Sequence, residues 1–488
     1  MAEERQTVLD LFERSERSFA LNTAIALPER NVTYGELGAS SRLLAGALLE
    51  ESKQPVIALF FPMSPEFVTA YFATLYAGRQ ALPLNLMLPP EELKYILNDS
   101  GADIILAPAE FVEKLAPLGV KVCSYQGLLE KAAKTGQVAL PARPEPDSIC
   151  TLLYTSGTTG KPKGVMLSHG NLASNAAGAV ASLHLDADHR FLACLPSFHT
   201  FAITATMLVP LSVGASLSTL GKFDPEVVVK TISGLKCNSL LMVPSMYRIV
   251  TRMQERRPLD MSHLKLAVAG GEALPVEVRE RFEQVFKIPL LEGFGQTESG
   301  PVVSLNLPWA NLPGTVGKPI VSVQVRTVDP ESLQETHQGT GEIWVKSPSV
   351  MKGYHNKPEE TAKTLTADGW LRTGDMGEIT PEGYIRITGR LREMIKVAGE
   401  MVFPAEVENI IYQHPAVSEV GVTGVKDDRK GEAVKAFVVL KSGENATEED
   451  LLQHCRTKMA AYKVPKTIEF RTELPKGPTG KVVRRFLK

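Results

Sequence analysis

The sequence predicts an α/β protein: a large N-terminal domain of several layers with mostly parallel sheets, then a small α+β C-terminal domain. Three observations carry this. At 488 residues the chain exceeds what one ordinary core organises, so a large domain and a smaller one are the natural partition. Residues 30 to 125 alternate short apolar runs with helix-like stretches, as expected of parallel strands joined by crossover helices. From residue 391 onward the strand and helix signals fit a module of roughly 100 residues, enough to hold its own core.

Pro55–Phe61 is a continuous apolar run suited to a covered strand, and Ser64 caps the helix that opens at Pro65. Ala81–Leu86 reads as a second strand, after which Pro89 and Pro90 begin a Glu-rich helix. Pro141–Asp147 is a surface connection. Ile149–Tyr154 and Val165–Leu167 are strands, and Ser168 with Asn171 starts a small-residue helix reaching Ser182. Between Arg190 and Lys222 there is no charged residue, and residues 202–221 are long enough to span a bilayer. Pro210, Gly214, Gly221 and the scattered Ser and Thr favour a buried helix followed by a strand, leaving peripheral membrane contact open.

Leu264–Ala269 is a strand ending at Gly270, Gly271 and Glu272. Residues 276–286 form a helix with Val276, Val278, Phe282 and Val285 near helical spacing. The strand Pro289–Glu292 leads to a second glycine loop from Gly293, and Leu371–Asp375 places an acid after a strand. Tyr384–Thr388 is a strand ending at Gly389 and Arg390, which puts the domains at 1–389 and 394–488 with a hinge at 390–393. In the small domain, Pro404–Gln413 is a helix, Val417–Val422 and Ala433–Leu440 are strands, and Thr447 with Asp450 caps a further helix.

A composition of 44% hydrophobic and 22% charged residues with net charge −2 gives no electrostatic reason to expect a nucleic acid. Cys123, Cys150, Cys194, Cys237 and Cys455 are scattered, without zinc or disulfide spacing, as in a reducing cytoplasm. The N-terminus mixes acids and bases and has no apolar run of a signal peptide.

The chemistry centres on residues 154–164, YTSGTTGKPKG. Three glycines allow backbone N–H groups close to an anion, and hydroxyls and two lysines add donors, which suits a polyphosphate. A Walker loop needs four residues between its glycines and Gly-Lys-Ser/Thr opening a helix. Here two residues separate Gly157 from Gly160, and Pro162 follows Lys161. A plain Ser/Gly turn is the default for SGTTG alone, but not with Pro-Lys-Gly attached. The string resembles the phosphate loop of the adenylate-forming (AMP-binding) superfamily: acyl-CoA synthetases, firefly luciferases and the adenylation domains of peptide synthetases.

That resemblance implies the rest of an ATP site. It gives Thr155, Ser156, Gly157, Thr158, Thr159, Gly160 and Lys163 to the phosphates, and Gly271 and Glu272 to the nucleotide turn. The loop Gly293–Ser299 resembles the adenine and magnesium element. Phe294 would stack on adenine with Gly295 and Gln296 beside it, Thr297 would contact the α-phosphate, and Glu298, with Thr155, would hold Mg²⁺. Phe294 stands where the family more often has tyrosine. Asp375 matches the ribose acid, with Ile387 and Arg390 near it, and Lys396 follows on the nucleotide side. A lone histidine beside aromatics is more often a core residue than a catalyst. The Pro-x-Phe-His context of acyl-CoA synthetases implies that His199 faces the substrate carboxylate. Amino-acid-activating relatives carry an aspartate near here, and this chain has none until Asp224.

By the same resemblance the small domain is a mobile lid. Its terminal Gly-Lys presents Lys481 for adenylation, Arg392 takes the hinge position where Asp or Lys is common, and Gly399 and Glu400 face the thiol acceptor. The implied reaction is ATP-dependent activation of a medium- or long-chain fatty acid to acyl-AMP and pyrophosphate, then transfer to coenzyme A. The cosubstrates are ATP and CoA, with Mg²⁺. Acyl carrier protein is the alternative acceptor, because Pro196–Val209 and LEGFGQTESGPVVSLN also resemble acyl carrier protein synthetases. A non-catalytic acyl or nucleotide sensor would not need Glu298, Asp375, Arg390 and Lys481 together. Nothing in the chain marks the oxygen chemistry of a luciferase.

Overall fold

In the computed structural model, the described residues are 6–136, 139–155, 161–336, 339–398, 400–427, 429, 431–475, 482, 484 and 486–487, with the backbone of 485. The chain divides into two compact units, Met1–Val325 with Val345–Arg372, and Arg326–Trp344 with Thr373–Lys488.

The first unit carries two large sheets. One has seven strands, ordered Gly353–Tyr354, Lys163–Ser168, Ile149–Thr155, Gln80–Pro83, Val56–Leu59, Ile104–Ala107 and Lys121–Ser124. Its last five strands are mutually parallel, and the pairs at the Gly353 end are antiparallel. The other sheet has nine strands and runs from Lys318–Pro319 through Val302–Leu305, Leu291–Gly295, Leu266–Ala269, Ser239–Met242, Arg190–Ala193, Ser216–Thr219 and Thr23–Ala26 to Asn31–Thr33. From Leu291–Gly295 to Thr23–Ala26 it is parallel throughout. The alternating pattern thus resolves as mostly parallel sheets covered by helices, with fully buried strands such as Val56–Leu59.

The caps form where the sequence places them. Ser64 accepts from the Phe67 N–H at 3.2 Å, and Ser168 and Asn171 bond reciprocally at 3.1 and 2.9 Å. The uncharged stretch becomes a π-helix, Phe201–Leu208, continued by Val209–Ser212 and then the strand Ser216–Thr219. Ala202 to Leu211 are buried inside the unit. Among the described residues no helix is long and apolar enough to cross a membrane.

Two expectations are corrected. The strand expected at Pro289–Glu292 runs Leu291–Gly295, so Gly293, Phe294 and Gly295 belong to it. Glycines weaken the local strand signal, but pairing with Val302–Leu305 supplies the ladder. Asp375 does not follow a strand; it lies inside Leu371–Ile379, whose antiparallel partner is Ile385–Arg390.

A further sheet, most of whose residues fall in the second unit, is ordered Glu335–Thr336, Gln324–Val328, Gly341–Lys346, Leu371–Ile379 and Ile385–Arg390. The other sheet of the second unit centres on the long hairpin pair Val417–Asp427 and Gly431–Leu440. The helices Pro404–Tyr412 and Glu448–Arg456 close a core that includes Val407, Ile411, Val422, Val438, Leu451 and Cys455. All five cysteines are buried and free.

Candidate active site

In the first unit the phosphate-loop sequence joins two adjacent strands of the seven-stranded sheet, with Thr155 directly opposite Lys163. Ser156, Gly157, Thr158, Thr159 and Gly160 lie outside the described residues. The Lys163 ammonium bonds Glu360 at 2.6 Å and sits 5.2 Å from the Tyr354 ring centre. Hydrogen bonds from Lys163 and Lys363 hold the Glu360 carboxyl down at about 2.

The strand Leu291–Gly295 carries Phe294 and runs into Gln296 and the 3-10 turn Thr297–Ser299. Four bonds seat this turn. The Tyr354 hydroxyl donates to Glu298 Oε1 at 2.8 Å, and the Glu298 carbonyl accepts from the Met351 N–H at 2.9 Å. Thr200 Oγ1 donates to Thr297 Oγ1 at 2.9 Å, and Ser349 Oγ to the Ser299 carbonyl at 2.8 Å. Burial and the adjacent Glu298 carboxylate push the Tyr354 hydroxyl well above the ordinary phenol range, so it stays a donor.

His199 lies just before the π-helix. Its N–H donates to the Pro196 carbonyl at 3.1 Å, its carbonyl accepts from Ile203 at 3.1 Å, and its ring rests 4.5 Å from that of Phe198. π-Helical turns are rare and frequent at functional sites, and no sequence pattern announces one.

At the carboxyl end of Leu266–Ala269 the chain turns through Gly271, whose φ of +81° favours glycine. The turn containing Gly271 and Glu272 is fastened from behind, because the Leu274 N–H donates to Glu292 Oε1 at 3.0 Å. Desolvation pushes the Glu292 carboxyl up to about 7, only partly opposed by that bond. Because the folded-state value is raised, Glu292's contribution to stability is complete below its unfolded value and is lost as pH rises through about 7. Glu292→Gln keeps an acceptor but cannot ionise. Between pH 5 and 8 the wild type should therefore lose stability relative to this variant, by at most roughly 3 kcal/mol, in denaturant titrations. Identical pH profiles would show that Glu292 does not titrate in this range.

In the second unit, the register of Leu371–Ile379 with Ile385–Arg390 sets Asp375 opposite Arg390, and Asp375 Oδ1 meets Arg390 Nε at 3.0 Å. Asp375 is 3% exposed. Ile387 pairs with Gly377 in the same ladder. Arg392 stands exposed in the 3-10 turn Leu391–Glu393, and Lys396 bonds Glu331 at 3.2 Å. Glu400 is exposed on the strand Glu400–Val402, opposite Val397. Gly399 and Lys481 lie outside the described residues.

Among the described residues no cluster of three or more His, Cys, Asp or Glu could hold a metal ion. Glu298, a single seated carboxylate beside the hydroxyl of Thr297, suits Mg²⁺, which keeps several waters and takes its remaining ligands from phosphates. Sequence reading had missed Tyr354, Glu360 and Glu292. Tyr354 is 56 residues from Glu298 and lies in no short motif, so only the fold pairs them.

The family model for "AMP-binding enzyme" matches residues 12–355, and that for "AMP-binding enzyme C-terminal domain" matches 406–481. The chain belongs to the AMP-binding enzymes. This AMP-binding enzyme is 34% identical over 532 residues to a long-chain-fatty-acid–CoA ligase of Bacillus subtilis, covering 99% of this chain and 94% of the relative. It is 35% identical over 469 residues to a feruloyl-CoA synthase of an Amycolatopsis species, covering 95% of this chain and 94% of that one. Its fold matches that of o-succinylbenzoate coenzyme A synthetase from Bacillus subtilis, solved with ATP and magnesium. The TM-score is 0.88 at 28% identity, over 98% of each chain. The adenylate-forming fold of a large α/β part and a smaller C-terminal part is therefore common to this chain and that synthetase.

Proposed function

We propose that this enzyme activates a medium- or long-chain fatty acid with ATP and transfers the acyl group to the thiol of CoA. What carries the reading is the hydrogen-bonded seat of Thr297 and Glu298, in a chain that resembles acid–CoA ligases along nearly its whole length. A carboxylate resists thiol attack because oxide is a poor leaving group. An oxygen of the acid instead attacks the α-phosphorus, the bond to the β-phosphate breaks and pyrophosphate leaves. The thiolate sulfur then bonds the acyl carbon as the bond to AMP breaks.

The 155–163 loop binds the phosphates, Thr297 orients the α-phosphate and Phe294 stacks on adenine beside Gly271 and Gln296. Asp375 and Arg390 hold the ribose, His199 faces the acid and Lys481 bonds oxygens that gain charge. Bound at Glu298 and Thr155, Mg²⁺ would neutralise phosphate charge. The hinge is proposed at 390–393, with Gly399 and Glu400 on the thiol side. The five buried thiols fit action in the cytoplasm.

The buried uncharged run 202–211 and the resemblance to a fatty acid ligase favour an aliphatic chain. The equal resemblance to a feruloyl-CoA synthase favours an aromatic acid as the second reading. Pyrophosphate exchange over a panel of acids, followed by product analysis with CoA and with acyl carrier protein, separates them. Fatty acids should drive exchange and give acyl-CoA. Exchange with hydroxycinnamates alone would install the aromatic reading, product on carrier protein alone would replace CoA, and no exchange with any acid would end the proposal.

Tyr354→Phe tests the Glu298 seat. A hydrogen bond to a charged acceptor is worth about 1.5–3 kcal/mol, so the variant should need about tenfold more Mg²⁺ for half-maximal exchange. An unchanged magnesium requirement would remove Tyr354 from the site.

A further inference from the structure

The C-terminal tail of the second unit is fastened at two places. The Arg484 guanidinium forks onto Glu408, with Nε to Oε1 at 3.2 Å and Nη2 to Oε2 at 2.7 Å, and its Nη1 reaches Glu393 Oε2 at 2.5 Å. Glu408 belongs to the helix Pro404–Tyr412 and also accepts the Val422 N–H at 2.8 Å. Glu393 ends the 3-10 turn that contains Arg392. One side chain thus joins the tail, a helix and the turn proposed as the hinge.

The second fastening is apolar. Leu474 and Leu487 are buried with Phe437, and Val482 packs against them. They converge where Gly421 has no side chain: a Cβ there would lie 2.8 Å from Leu487 Cδ1, 3.2 Å from Val482 Cγ1 and 3.6 Å from Leu474 Cδ1. Leu474 and Val482 therefore meet at one spot, and Val482 is one residue after Lys481. Successive Cα atoms are 3.8 Å apart, so at most about 11 Å of backbone separates Lys481 from Arg484.

We propose that Arg484 is a positioning residue for Lys481: its ion pairs with Glu408 and Glu393 fix the backbone three residues after Lys481 and tie it to the turn at Arg392. The inference rests on the adenylation reading above. A lysine reaches one geometry more often when the backbone close to it in sequence is held, because fewer residues remain to be fixed as the ammonium engages. The fork on Glu408 needs a planar, two-pronged donor, and a third nitrogen serves Glu393, so a lysine at 484 cannot replace it.

The test compares the two half-reactions in the full-length enzyme. Arg484→Ala should slow pyrophosphate exchange by ten- to fiftyfold while thioester formation from presynthesised acyl-AMP stays within about twofold, and Arg484→Lys should recover only part of the loss. Glu393→Gln, which removes one arm and leaves the fork on Glu408, should slow the first half-reaction two- to fivefold and spare the second. It serves as well if Arg484→Ala does not fold. A merely structural role predicts equal losses in both half-reactions, and that result would overturn the proposal. So would wild-type exchange in Arg484→Ala or Glu393→Gln beside a strongly impaired Lys481→Ala. If Lys481→Ala itself exchanges normally, Lys481 has no part in adenylation and the tail clasp loses its purpose, whereas no exchange by the wild type would end the adenylation reading itself.

Discussion

Lys481→Ala should slow acyl-adenylate formation by a hundred- to a thousandfold while sparing the second half-reaction. Preorganised donors aimed at developing charge are worth about 3–4 kcal/mol each, and a lysine ammonium meeting the oxygens of the attacked phosphate is such a donor. In the second step charge builds on the acyl oxygen and on the departing AMP instead, and the reading gives Lys481 to the first step alone. Pyrophosphate exchange reports the first step, and thioester formation from synthetic acyl-AMP reports the second. Equal losses in both would remove Lys481 from the adenylation step.

Gly295→Ala should be damaging too, for a reason of packing. A Cβ at Gly295 would lie 1.9 Å from the Pro301 carbonyl oxygen and 2.9 Å from its carbon. These are backbone atoms, and that oxygen already accepts from the Gln296 N–H at 3.1 Å and Ser299 Oγ at 2.7 Å. No side chain can swing away, so either the Gln296–Glu298 turn or the strand Val302–Leu305 must move. Overpacking of this kind costs about 1–3 kcal/mol or more. The movement falls on Thr297 and Glu298, so adenylation should drop by about ten- to a hundredfold, with a melting temperature lower by several degrees. Exchange at the wild-type rate would show that the turn rebuilds around the methyl group without disturbing the Glu298 carboxylate.

Much of the framework was legible because its signals are local. Ser64, Ser168 and Thr447 cap the helices they precede, each within three residues of the N–H it accepts. Gly270 and Gly271 end a parallel strand as their position implied. The strand Leu291–Gly295 was cut short because three of its last residues, Gly293, Phe294 and Gly295, look like loop when read without the partner Val302–Leu305. Asp375 was misplaced for the same reason, since Thr-Gly-Asp has turn character until Ile385–Arg390 pairs with it. The strand Val417–Asp427 likewise extends past the apolar residues that marked it, through Lys426 and Asp427.

By itself the sequence determined the order of strands and helices and named the side chains proposed to bind phosphate, magnesium and ribose, because propensity, capping and motif chemistry act over a few neighbouring residues. Tertiary structure alone decided their partners: Tyr354 on Glu298, Glu360 on Lys163, Glu292 under the Gly271 turn, Arg390 on Asp375 and Arg484 between Glu408 and Glu393. These meetings depend on strand register and on which elements pack together, and most span tens to hundreds of residues. No local pattern encodes such a distance, so the charges that hold each functional group in place emerge only once the chain is folded.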